Sequence, residues 1–323
     1  MDRRGAVLAL FAVGASSAFG QQQPARIPRI GYLGVTNATS HATSLEAFRA
    51  GLRELGYVEG NNLLIEFRWG ESNYNRLSAL AAELVHLNVA VIVTHTEGGA
   101  RAAKQATTTI PIVVAAAGDL VGAGLAEKLA RPGGNITGST FFSPEINAKK
   151  LELLKEVFPR IQRVAVLSMG QNPLGPTRSA TEAAAKALKV ELQQFGVENP
   201  NEVESAFAAM SKRRIEAVAI AENPILINNA AAVAGSAAKH KIPAIGFVEF
   251  AEGGGLMAYG VNFPAMFRRA AVFVDKILKG AKPGDLPIEQ ATKFVLIVNL
   301  RAAKDLGLTI PRTVLLRADR VIE

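Results

Sequence analysis

Along the chain, short apolar runs alternate with segments whose apolar residues recur at helical spacing. Ile30 to Val35 (IGYLGV) has the length and character of a strand, and Leu45, Phe48, Leu52 and Leu55 after it mark one helix face, ended by Gly56. Leu63 to Trp69 alternates enough for a strand at a sheet edge. A helix, a strand over Val89 to Thr94 and another helix follow. Ile110 to Ala117 (IPIVVAAA) is apolar throughout and predicts a strand buried on both faces. After it come Gly118 and Asp119, then a predicted helix to Arg131, which Pro132 stops. Gly133 and Gly134 turn the chain into a strand over Ile136 to Phe141.

The same alternation then restarts. Helices are expected over Pro144 to Val157, Pro176 to Leu188, Asn201 to Met210 and Ile225 to His240. Strands are expected over Arg163 to Ser168, Val190 to Gln194, Ala217 to Ala221, Pro243 to Phe247 and Gly255 to Val261. A helix over Ala265 to Lys279, a Pro-rich connection, a strand over Phe294 to Val298, a short helix and a terminal segment over Thr313 to Ile322 complete the chain. Repeated βα units imply parallel strands with helices on both sides. The expected class is α/β: two similar doubly wound parallel-sheet domains joined by a multi-strand hinge, with crossings near Phe142, Asn262 and Gln290.

The first twenty residues do not fit this grammar. Arg3 and Arg4 precede an apolar core over Ala6 to Phe19, and Ala18-Phe19-Gly20 is a small-x-small cleavage signature, so residues 1–20 read as a secretory signal peptide. The chain has no cysteine, which excludes a structural disulfide, a thiolate nucleophile and a lipid-bearing cleavage-site cysteine. The expected location is the periplasm, without a lipid anchor. The formal charge of +8 is spread over helices, as at Arg213-Arg214 and Arg268-Arg269, with no aromatic-interleaved basic run, and nucleic acid is not an expected partner.

Catalytic motifs are missing. The sequence holds no GxSxG elbow, P-loop or HExxH. His41, His86, His95 and His240 are isolated from one another at metal-ligand spacing, so neither metal nor cofactor is expected. His86 and His240 fall near helix C-termini, and His95 near a cleft. Gly118, Gly122 and Gly124 fail the dinucleotide fingerprint, because their order is wrong and the next strand ends without an acid. What remains is a set of polar and aromatic loops after strands, where ligands of open parallel sheets bind. In the first half these offer Thr36, Asn37, Thr94, His95, Thr96, Asp119, Ser139, Thr140 and Phe141. In the second they offer Asn172, Glu222, Asn223, Phe247 and Glu249. Hydroxyls and helix-start N–H groups suit a carboxylate, the acids an ammonium, and the phenylalanines an apolar or aromatic body. Asp119 either caps the helix after it or faces the ligand, and one carboxylate can do both.

Two blocks carry a resemblance: GDLVGAGLAEKLARPGGNITG, from Gly118 to Gly138, and GGLMAYGVNFPAMFRRAAVFVDKILKGAKPGDLPIEQATKF, ending at Phe294. With nearly all of the chain beyond the signal peptide, they resemble the periplasmic substrate-binding proteins of ABC transporters, in the group that includes tryptophan- and tyrosine-type binders. Leu120 departs from the proline usual after the aspartate, and Gly246 to Phe250 from a segment that is more polar in many members. The resemblance implies a type I periplasmic binding fold. The helix over 265–279 then returns to the first domain, giving an N-terminal lobe of 28–142 and 263–290 and a C-terminal lobe of 143–262 and 291–323. It also implies a monomer that captures a small polar ligand, an aromatic or branched amino acid, by hinge closure and presents it to a membrane permease. A ligand sensor feeding a membrane signalling protein is one alternative, and a secreted hydrolase using Asp119 or Glu222 as base is another.

Overall fold

The computed structural model describes residues 27–141, 143–170 and 178–323. The signal-peptide segment, the crossing residue Phe142 and the ligand candidate Asn172 lie outside these residues. The first half runs β1 (Arg29–Gly34), α1 (Ala42–Glu54), β2 (Leu64–Trp69), α2 (Leu77–His86), β3 (Val91–Thr94), α3 (Thr96–Ala106), β4 (Ile112–Ala117) and β5 (Ile136–Thr140). The second runs α4 (Ser143–Val157), β6 (Arg163–Met169), α5 (Arg178–Ala187), β7 (Glu191–Val197), α6 (Val203–Lys212), β8 (Ala217–Ile220), α7 (Pro224–Asn228), α8 (Ala230–Lys239), β9 (Ala244–Gly246), α9 (Val248–Glu252) and β10 (Met257–Val261). The last part adds α10 (Phe263–Leu278), β11 (Glu289–Gln290), β12 (Phe294–Asn299), α11 (Leu300–Asp305), α12 (Arg312–Leu315) and β13 (Arg320–Ile322).

Two sheets result. The first has the order β2-β1-β3-β4-β5-β11 and is parallel throughout, with β2 at the edge that its alternating sequence predicts. The second has the order β7-β6-β8-β9-β10-β12-β13. It departs from the expected all-parallel sheet at one pairing, since β12 lies antiparallel to β10. The chain reaches β12 directly from the neighbouring lobe through a short connection, so no crossover helix sets its direction. In both sheets the order turns back between the first and third strands, the switch point at which doubly wound sheets open a crevice.

Each sheet is covered on both faces. In the first lobe α1 and α10 cover one face, where Tyr32, Phe48, Val93, Phe267 and Phe273 pack, while α2 and α3 cover the other. Fully burying one side chain such as Phe48 stabilises the fold by roughly 1.5–3 kcal/mol. Helix α10 thus sits on the first sheet although most of the second sheet precedes it in sequence. In the second lobe α4, α5, α11 and α12 pack on one face, and α6, α7 and α8 on the other.

Three local expectations give way. The helix after β4 does not form, and residues 119–131 make successive turns. Asp119 Oδ1 accepts the N–H groups of Val121 and Gly122, and the N–H groups of Leu125 and Ala126 both return to the carbonyl of Leu120. Gly124 sits at φ +69°, a left-handed conformation that interrupts any helical ladder. The helix expected over Ile225 to His240 is broken at Asn229, whose side chain donates to the carbonyl of Ile225 at 2.7 Å. Finally, α9 forms where a loop was expected. Between β4 and β5 the backbones come so close that a Cβ on Gly138, at φ +137°, would lie 2.0 Å from the carbonyl oxygen of Val114. Only glycine fits there.

Candidate ligand cleft

The carboxyl ends of the two sheets enclose a cavity of about 840 Å³, large enough for a small organic ligand. The first lobe lines it with Ser40, His41, Thr43 and Ser44 around the start of α1, with His95 to Gly98 at the start of α3, and with the end of β4. The second lobe contributes Glu222 and Asn223 after β8, Ile227 and Asn228 of α7, and Val248, Glu249 and Glu252 of α9. Phe141, Asn262, Phe263 and Phe267 close the hinge side. Phe141 meets Phe263 edge to face at 5.5 Å, so this side is aromatic and apolar.

His41 and His95, separate in sequence, stack with ring centroids 4.6 Å apart. They follow β1 and β3, the two strands that flank the first sheet's switch point, which brings them together. His95 Nε2 accepts the N–H of Val35 at 3.1 Å, so the neutral ring carries its proton on Nδ1. Phe267 stands edge-on to both rings. Burial lowers His41 to about 4, and burial with the neighbouring His41 holds His95 well below the usual imidazole range. Each ring also sits at the positive end of a helix, which disfavours imidazolium further. The expectation that the histidines stand apart is therefore corrected for this pair. No metal-binding group of side chains occurs among the described residues.

The opposite wall is acidic. Glu222 is buried, with 2% of its side chain exposed, and its Oε1 accepts from Lys150 Nζ at 2.5 Å. Lys150, fully buried in α4, also donates to the carbonyl of Ile220 at 2.7 Å. Burial lowers the Lys150 ammonium and the Glu222 carboxylate holds it up. Glu222 Oε2 and Glu249 Oε2 are buried without a hydrogen-bond partner among the described residues. Burial raises Glu249 above the usual carboxylate range, and the charges of Glu252 and Glu222 add to the rise against its own backbone N–H. Arg320, the cationic side chain of this lining, is paired with Glu252 at 2.6 Å.

Of the residues expected from sequence, His95, Thr96, Phe141, Glu222, Asn223 and Glu249 line the cavity. Others lie beneath its surface. Thr94 Oγ1 donates to the carbonyl of Leu33, and Thr140 Oγ1 to those of Ala117 and Gly118. Thr36, Ser139 and Phe247 are buried, Phe247 against Phe250. Asn37 caps its own turn by accepting from Ser40, and Asp119 does the same with Val121 and Gly122. Both stand outside the lining, so for Asp119 the geometry favours the capping alternative. A strand's last residues point into the sheet as often as out of it, and so terminal position alone overselects.

Sequence reasoning missed His41, Tyr74, Phe263, Phe267 and Glu252 in the lining, and Lys150 behind it. Lys150 had a legible signal: it falls on the apolar stripe of Ile146, Leu153 and Val157, where a charge needs a buried partner. Tyr74, in a turn before α2, had none.

Comparison with known proteins agrees with this architecture. The family of ABC transporter substrate binding proteins matches residues 33–322. A tyrosine-binding protein of Clostridioides difficile is 25% identical over 282 residues, covering 85% of this chain and 81% of its own. A conserved domain protein of Vibrio cholerae superposes with a TM-score of 0.85 at 26% identity, over 92% of this chain and all of the other. An ABC domain from Streptococcus pneumoniae in complex with L-Trp superposes with a TM-score of 0.82 at 26% identity, over 91% of this chain and all of the other. With two α/β lobes facing each other across a cleft, this chain belongs to the ABC transporter substrate-binding proteins, which bind small ligands for a membrane transporter and are not enzymes.

Proposed function

We propose that the protein is the periplasmic receptor of an amino-acid importer, and that it holds an amino acid with an aromatic or branched side chain between its lobes. The observation that carries this reading is the division of the cavity. Glu222 and Glu249, each with a carboxylate oxygen that lacks a partner, line it from the second lobe, and Ser40, Thr43 and Ser44 line it from the first. Phe141, Phe263 and Phe267 give the side chain an apolar wall. A zwitterion with a hydrophobic body matches all three. Relatives that bind tyrosine or hold L-Trp support the same class. The Arg-rich, then apolar N-terminal segment supports export, and the protein acts as a monomer that closes about its hinge.

Thermal melting of the purified protein with each standard L-amino acid tests the reading. A ligand at a hundred times its Kd adds about 2.7 kcal/mol to the folded state, a readily measured rise in Tm. The rise is expected with tyrosine, tryptophan, phenylalanine or leucine. A panel in which no amino acid raises Tm would reject it.

A further inference from the structure

We propose that the cleft recognises its ligand chiefly through a protonated amine seated against Glu222 and Glu249, with the ligand's carboxylate a lesser contact. The ligand class is then a primary amine on an apolar body, of which aromatic and branched amino acids are one case. Lys150 is the positioning residue that sets this preference. The inference rests on the reading of the cavity as an amino-acid site.

The first support is the state of the two carboxylates. Glu222, a lining residue, spends one oxygen on Lys150 and keeps the other buried and unpartnered. Glu249 likewise keeps a buried oxygen without a donor. A buried acceptor left unsatisfied is costly, and an ammonium brings three N–H donors able to serve both oxygens.

The second support is the charge balance. Lys150 offsets Glu222 and Arg320 is paired with Glu252, whereas Glu249 and Asp319, which line the same wall, have no cationic partner among the described residues. A ligand ammonium offsets part of that charge.

The third is what the opposite wall lacks. Among the described residues lining the cavity, Arg320 is the cationic side chain, and its guanidinium is engaged by Glu252. A ligand carboxylate therefore meets neutral donors, the hydroxyls of Thr43 and Ser44, which bind more weakly than the bidentate guanidinium fork used where a carboxylate is the main handle. Lys150 fixes the geometry from behind. Held by the carbonyl of Ile220 at 2.7 Å and by Glu222 Oε1 at 2.5 Å, it fixes Glu222 so that Oε2 is the oxygen left without a partner.

The test is calorimetry on the full chain with matched probes: L-tyrosine, tyramine, which lacks the carboxylate, and hydroxyphenylpropionate, which lacks the amine. Leucine, isoamylamine and isocaproate form a second set. Within the set that binds, the amine is expected to stay within about tenfold of the amino acid, and the acid to fall by ~100-fold or more, as for loss of a buried charged partner. Binding of the amines without the amino acids would uphold the amine preference while rejecting the amino-acid reading. Binding of the amino acids and acids without the amines would overturn the preference and leave that reading standing. No binding by any probe would reject both.

Two variants complete the test. Glu249→Gln removes a carboxylate with no ion-pair partner among the described residues, so it should fold normally and lose ~10-fold or more in amine affinity. Lys150→Met with Glu222→Gln removes both members of the buried pair together, which spares the fold, and should bring the affinities for tyramine and hydroxyphenylpropionate closer together. A pair that is purely structural would leave their ratio unchanged. Unaltered amine affinity in both variants would overturn the proposal.

Discussion

The side-chain amide of Asn223 donates to the phenol oxygen of Tyr74 at 3.5 Å, joining the second lobe to the first across the mouth of the cleft. Tyr74 follows β2 and Asn223 follows β8, so neither lobe alone brings them together. Burial pushes the Tyr74 phenol up to about 12, against the lowering effect of Thr96 and Asn223, and it remains a neutral hydroxyl. Because the contact exists only when the lobes meet, it favours the closed arrangement.

Tyr74→Phe removes that contact together with the phenol's hydrogen bond with Thr96. At 3.5 Å the bond is a long one, so affinity should fall by no more than about 1 kcal/mol, mainly through faster release. Stopped-flow release of bound ligand checks this. Small-angle scattering should also show a radius of gyration that contracts on saturation in the parent protein, and a constant radius would reject closure.

Lys150→Met leaves Glu222 buried without its cation. The loss should be about 3–5 kcal/mol in urea unfolding, and the double change with Glu222→Gln should recover most of it. Equal stability of the single and double variants would show that the pair is not coupled.

Acid should destabilise the fold through His41 and His95. Both are neutral when folded, whereas in the unfolded chain imidazole takes up a proton as the pH falls below about 6.5. The unfolded state then binds more protons, so stability is complete above that pH and declines on the way down towards 4, where His41 itself titrates. His41 alone accounts for up to about 3 kcal/mol over that range, and His95 acts in the same direction. Melting curves from pH 7 to 4.5 should show a shallower decline in His41→Phe than in the parent. Parallel declines would contradict the assignment.

Asp119→Asn should be nearly silent. Its carboxylate serves the N–H groups of its own turn, and asparagine accepts equally well there. Affinity and Tm should both stay within about 0.5 kcal/mol of the parent. A large loss of affinity at unchanged Tm would restore the ligand role considered from the sequence.

The contrast between Asp119 and Glu222 shows what a sequence discloses here. Both follow an apolar strand of a parallel sheet, and strands such as Ile112–Ala117 are legible because burial on two faces demands unbroken apolar runs. Which acid faces the cleft depends on what the chain does next. After Asp119 it coils into turns that consume the carboxylate, while after Glu222 a proline-started helix leads away and Lys150 arrives from another element. Such partnerships, like the stack of His41 on His95, arise from the order of strands and not from spacing along the chain. The antiparallel entry of β12 is hidden for the same reason, since its sequence reads like that of any other buried strand.

The return of α10 to the first sheet also governs when that sheet can be completed. Until residues 263–278 are available, the face carrying Ile30, Tyr32, Val93 and Val113 lacks the cover of Phe267, Ala270, Phe273 and Val274. A nascent chain that has emerged only through β10 therefore exposes a broad oily surface, whatever local helices it has formed. Assembly of the N-terminal half must wait for almost the whole polypeptide, which delays folding relative to synthesis.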